Sequence, residues 1–155
     1  MTISAGVPAL VVAAAKHWEL EVLVLREVTG ILQTLTYDSR CVRAVLQADL
    51  LPSTLKSLIT SVDADVSSFS IATLANILSF TDGLLLADSV IIESLGLLLP
   101  TLLDLLRNQL QGRSSLRSQR FYAMAGIANA CAHPRLQSIL KSKGGECELI
   151  HSLRM

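Results

Sequence analysis

The sequence predicts an all-α protein assembled from repeated, stacked helical units, and three observations carry that prediction. Apolar residues form 51% of the 155-residue chain and aromatics only 4%, and the apolar share is mostly Leu, Ala, Val and Ile, a mixture that suits close packing of helix on helix. Pro8, Pro52 and Pro100 each open a run of apolar residues at helical spacing, in GVPALVVAAA, LLPSTLKSLIT and LLPTLLDLLRN. A second, longer helical pattern lies downstream of each proline, and the three patterns align with Gln33, Asn76 and Asn129 in one column. The steps along that column are 43 and 53 residues, and a period of about 40 to 47 residues marks solenoids built from helix pairs or triplets.

The elements follow in order. Proline in the first turn of a helix gives up an amide that would be unpaired anyway, so Pro8 marks a helix over Gly6–Ala15. A long helix then falls within Leu20–Tyr37. The second unit has a short helix over Cys41–Ala48, a Pro52-led helix within Leu50–Thr60, and a long helix over Val66–Phe80. The third has a short helix over Ser89–Leu97, a separate helix started by Pro100 within Leu98–Asn108, and a long helix over Arg120–His133. Its polar stretch NQLQGRSSLRSQ, residues 108–119, reads as an extended loop and absorbs the ten residues by which the second step exceeds the first. A fourth unit has a short helix over Arg135–Ser142 and continues through Lys143, Gly144 and Gly145. The whole forms one domain over 1–155 with approximate units at 3–38, 40–81, 84–133 and 135–155. The first unit lacks a short leading helix and the last lacks a long one, so the sequence is expected to begin and end inside repeats.

Burial can be read from the same pattern. Leu55, Leu58 and Ile59 share one helix face, as do Ile71, Leu74 and Leu78, and no unit alone can cover these stripes. Neighbouring units must lie against one another. Asp63 and Asp65 precede the third long pattern's counterpart in the second unit, where a carboxylate accepts from unpaired amides and suits the positive helix end. Gly30, Ala72, Ala75, Ala125, Gly126 and Ala128 let neighbouring backbones approach.

At residues 44–80 the resemblance to a known family becomes specific. The stretch AVLQADLLPSTLKSLITSVDADVSSFSIATLANILSF resembles an armadillo repeat of the wider armadillo and HEAT class, with a short helix, a Pro-led second helix, an acidic SVDADV turn, and a third helix ending in Leu-Ala-Asn. SILKSKGG is similar to that family's turn between first and second helices, where Gly is common; Asp49 takes the Gly position in the second unit, and Gln33 replaces Asn in the first. The resemblance implies a right-handed superhelical stack of three-helix repeats whose third helices line a concave surface. It also implies that Gln33, Asn76 and Asn129 face that surface, where a carboxamide can hold the backbone of an extended peptide through its donor and its acceptor. The alternative is that these side chains bond a neighbouring helix or water. No Trp column accompanies them, and Trp18 precedes its long helix.

Composition narrows the function classes. Lys plus Arg and Asp plus Glu are both 13, so the chain lacks the positive field of a nucleic-acid binder. Cys41, Cys131 and Cys147 form no CxxC pair and no secretory signal peptide precedes them, which points to a reducing, cytoplasmic setting. Val7–Ala15 is too short to span a bilayer. Val90–Leu106 approaches spanning length but contains Glu93, Pro100 and Asp104, so no membrane segment is expected, and no basic amphipathic face for a membrane surface. His17, His133 and His151 lack metal-ligand spacing to other donors, the Cys147 and His151 pair has no further partners, and there is no phosphate-binding Gly loop, GxSxG or HExxH. Neither an enzyme, a metal nor a cofactor is expected, and Cys41 and Cys131 read as small apolar residues.

What remains is a protein-binding scaffold holding a protein or peptide segment on its third helices. Arg107, Arg113, Arg117 and Arg120, with Lys141 and Lys143, make the C-terminal half locally basic, and such arginines can grip acidic segments of a partner or stay solvated. Phosphorylation of Ser114, Ser115 or Ser118 would reverse that charge. The alternative function is a self-associating structural module of a larger cytoskeletal, centriolar or ciliary scaffold, a reading by analogy of fold.

Overall fold

The computed structural model describes residues 6–17, 21–80, 88–110 and 117–144. These residues form α1 (Gly6–His17), α2 (Val22–Leu35), α3 (Ser39–Gln47), α4 (Ser53–Ile59), α5 (Ala64–Ser79), α6 (Ser89–Leu110), α7 (Arg117–Cys131) and α8 (Pro134–Ser142), with no strand among them. The protein is all-α, as the sequence predicts. Trp18, Arg113, Ser114, Ser115, Cys147 and His151 lie outside the described residues.

Local chemistry sets most of the helix ends. Pro8 lies in the first turn of α1, Pro52 is the N-cap of α4, and Pro134 opens α8. Asp38 caps α3 by accepting from the Arg40 amide, and Asp63 caps α5 by accepting from the amides of Asp65 and Val66. The two nine-residue helices α3 and α8 stop in the same way. Each has a cap residue, Ala48 or Lys143, followed by a left-handed residue, Asp49 at φ 62° and Gly144 at φ 77°. Gly meets that φ without strain, and Asp tolerates it better than most residues.

One expected break is absent. Pro100 does not start a helix; it sits inside the single 22-residue helix α6, where separate helices over Ser89–Leu97 and Leu98–Asn108 are expected from the sequence. The physical reason is an apolar stripe that crosses the proline in phase. Ile92, Leu95, Leu99, Leu102 and Leu106 alternate three and four apart and are all buried, so breaking the helix at Pro100 would uncover half of them. The proline's missing amide leaves the Gly96 carbonyl without its helical donor, a cost set against that burial. The surplus in the third unit also falls elsewhere than expected. Most of it lies in 80–88 between α5 and α6, where 36–38 alone join α2 to α3. Of the loop expected over 108–119, residues 108–110 belong to α6 and 117–119 to α7.

The helix α5 packs on α2 and on α7, whereas α2 and α7 make no comparable contact with each other. The remaining helices pack on this row, with α1 on α2, α4 on α5 and α6 on α7. The core runs through the predicted stripes, and Leu55, Leu58, Ile59, Ile71, Leu74 and Leu78 are all buried. Hydroxyls buried in α5 are satisfied by carbonyls: Ser67 donates to Ile59 O at 2.7 Å, Ser70 to Val66 O at 2.7 Å and Thr73 to Phe69 O at 2.9 Å. Such pairing removes the penalty for burying them. Helix approach is closest at the small residues. A Cβ on Gly126 would lie 3.1 Å from Leu102 Cδ1 and 3.7 Å from Ala75, and one on Gly96 would lie 2.6 Å from Ile139 Cδ1. Ser89–Asn108 is also long and apolar enough, by length and composition, to cross a membrane, and 44% of it is buried within the protein.

Candidate protein-interaction surface

The long helices bring the predicted carboxamide column together. Gln33, Asn76 and Asn129 are each half-buried, on α2, α5 and α7 respectively. The Asn76 amide donates from Nδ2 to Gln33 O and to Thr36 Oγ1, both at 3.2 Å, and Asn129 donates from Nδ2 to Ala75 O at 3.0 Å. Both asparagines therefore reach back to the preceding long helix, where Asn76 engages both of its amide hydrogens and Asn129 one of its two. Their Oδ1 atoms remain as acceptors. Gln33 heads the column, and its carboxamide has no hydrogen-bond partner among the described residues.

A second column escaped the sequence reading. Arg26, Phe69 and Tyr122 repeat with the same 43 and 53 residue steps, each seven residues before the carboxamide of its own helix. Seven residues is close to two turns, so the two columns share one side of each helix. All three are half-buried, and Tyr122 meets Phe121 edge to face at 5.5 Å. The signal was legible, since aromatics recur at the carboxamide spacing, but a search for Trp alone passes over Phe69 and Tyr122.

Electrostatics fix the first member of that column. Arg26 on α2 donates to Asp63 at the start of α5, from Nη2 at 2.7 Å and from Nε at 3.2 Å to each oxygen, and stands 3.7 Å from Asp65. The guanidinium, followed by the Val66 amide, holds the Asp63 carboxyl down at about 2, and Asp63 in turn raises Arg26. Asp38 is likewise held at about 2 by Arg40. Arg117 is exposed at the start of α7 and Arg120 half-buried in its first turn, while Arg107 donates to Lys143 O at 2.9 Å and pairs with Asp104 at 3.4 Å, tying α6 to the end of α8. Ser118 Oγ lies 3.3 Å from Ser68 Oγ, across the α5 and α7 contact.

For covalent or metal chemistry the described residues offer little. No three of His, Cys, Asp and Glu among them could share a metal ion. Cys41 is a buried free thiol, and Cys131 is half-buried. His133 caps α8 with a buried Nδ1 that has no hydrogen-bond partner.

No protein-family model, curated protein or solved structure matches this chain.

Proposed function

We propose that the protein is a non-enzymatic interaction scaffold, a stack of armadillo-like repeats that binds a protein segment along the strip formed by α2, α5 and α7. The observation that carries this reading is the pair of in-register columns, Arg26, Phe69 and Tyr122 beside Gln33, Asn76 and Asn129, repeated on α2, α5 and α7. An extended peptide laid across the helices would meet an acceptor at each asparagine, a donor and an acceptor at Gln33, and an aromatic surface between them. Arg117 and Arg120 at the α7 end would favour acidic residues in that segment. Because both Asn76 donors are engaged between helices, a peptide amide rather than a carbonyl would be read there, whereas Asn129 keeps one N–H and can read either.

The test is a library of extended peptides, unbiased and acidic, screened against the purified chain. Gln33→Ala is the cleanest variant, since its side chain has no hydrogen-bond partner among the described residues. Binding is expected to weaken roughly fivefold, the weight of about one hydrogen bond, at an unchanged melting temperature. A triple alanine variant at Gln33, Asn76 and Asn129 that still folds and binds every peptide equally would retire the strip as the binding surface. The second reading, self-association, is favoured by a different surface.

A further inference from the structure

The same residue columns that stack the long helices on one another are left open at the two outer helices. On the side of α5 facing α7, Ser68 is 6% exposed and Ala75 is 4% exposed, and on α2 the corresponding Leu25 and Leu32 are 5% and 1% exposed. Their counterparts on α7 are Phe121, 66% exposed, and Ala128, also exposed. The opposite side behaves in the mirrored way. Val66 and Gln119 are buried, with Gln119 Nε2 reaching Ala64 O at 3.5 Å, yet their counterpart on α2, Leu23, is 73% exposed. Leu74 and Ile127 are both fully buried, and their counterpart Ile31 is 45% exposed. Val24 extends this open face of α2, at 36%, and Tyr37 follows just past the end of the helix, at 65%. The hydrogen bonds follow suit, since Asn76 and Asn129 reach the preceding long helix and Gln33 has none to reach.

From this we propose that the open face of α2 docks the open face of α7 from a second copy of the chain, head to tail, reproducing between molecules the contact made twice within one. The occupant follows from the template. The α2 to α5 and α5 to α7 contacts join one kind of face to one kind of counter-face, and α2 and α7 each carry the unmatched half. A second copy supplies both. Gln33 then donates to the Ala128 or Asn129 carbonyl of the neighbouring molecule, as Asn76 does to Gln33 O and Asn129 to Ala75 O. Charge agrees with this pairing, because Glu21 and Glu27 are exposed on α2 while Arg117 is exposed at the start of α7. The contact is heterologous, so it builds chains or rings rather than closing as a symmetric dimer. It shares Gln33 with the strip, but its apolar contacts are those of the end faces, so it does not depend on peptide binding by the strip.

The experiment is light scattering and sedimentation of the full chain across a wide concentration range, with two blocking variants at exposed positions, Leu23→Glu and Phe121→Glu, each checked by circular dichroism and thermal melting. The wild type is expected to grow beyond a dimer with concentration. Each variant alone is expected to stay monomeric, and their equimolar mixture to form a one-to-one dimer, because each retains the face that the other lacks. Three results would overturn the proposal. A wild type that is monomeric throughout would assign the open faces to other occupants, a wild type that stops at a symmetric dimer would remove the head-to-tail contact, and a mixture of variants that stays monomeric would do the same. Peptide binding by monomeric Leu23→Glu, whose substitution lies outside the strip, is measured alongside, so that failure of the strip and failure of the end contact are read separately.

Discussion

The Asp63 carboxylate accepts from two amides at the start of α5 and at the same time from Arg26 on α2, so one side chain joins a helix end to the packing of two long helices. Its carboxyl is held at about 2, mainly by Arg26, below the ordinary carboxylate value of about 3.9. The folded state therefore binds this proton less tightly than the unfolded chain does. The stability it contributes is present in full above about pH 4 and is lost as pH falls toward 2. Asp63→Asn keeps a good capping side chain but removes the charge. The variant is expected to unfold at lower urea than the wild type at pH 6, and the difference between the two is expected to shrink by pH 2.5, in paired denaturation curves. A difference that stays constant over that range would mean that the ion pair contributes nothing beyond the cap. Asp49 shows the limit of such local reasoning. Its φ of 62° is one that Gly adopts without strain, and sequence alone does not say that the turn takes this shape with Asp in place.

Among the elements, α6 departs most from expectation, and Pro100 is the residue that decides between the two descriptions. Proline inside a helix costs about 3 kcal/mol relative to Ala, whereas at a helix start it is tolerated. With α6 continuous, Pro100→Ala restores a donor for the Gly96 carbonyl and is expected to stabilise the protein by about 1 to 3 kcal/mol, after allowance for the freer unfolded chain. Thermal and urea unfolding would read this directly. A neutral or destabilising result would instead fit two helices meeting at Pro100. The stripe from Ile92 to Leu106 was legible in the sequence, but weighing it against a proline requires knowing what covers it. α7 and α8 do so, with Ile139 closing over Gly96.

For the whole molecule, stability depends on α5, the helix with neighbours on both sides. Leu74 is fully buried in it, and Leu74→Ala is expected to cost about 2 to 5 kcal/mol through lost burial and the cavity left behind. Because α2, α5 and α7 share one continuous core, the loss should move a single cooperative transition rather than split it. Helical circular dichroism and calorimetry would then report the same midpoint. Separate midpoints would show that the units unfold independently, as in long repeat arrays whose cooperativity breaks down.

The sequence by itself determined the helical class, the positions of most helices, the Asp63 cap and the buried leucine stripes, because each rests on spacing and chemistry within a few residues. It also placed Gln33, Asn76 and Asn129 in one column. Only the tertiary structure decided what those carboxamides touch, that α6 runs through Pro100, and that the surplus residues fall mostly before α6. Hydrogen bonds from Asn76 to Gln33 O and from Asn129 to Ala75 O span 43 and 54 residues. A donor's choice between a peptide, water and a neighbouring carbonyl is settled by how closely packed helices bring that carbonyl, and residue spacing along one helix does not contain that distance.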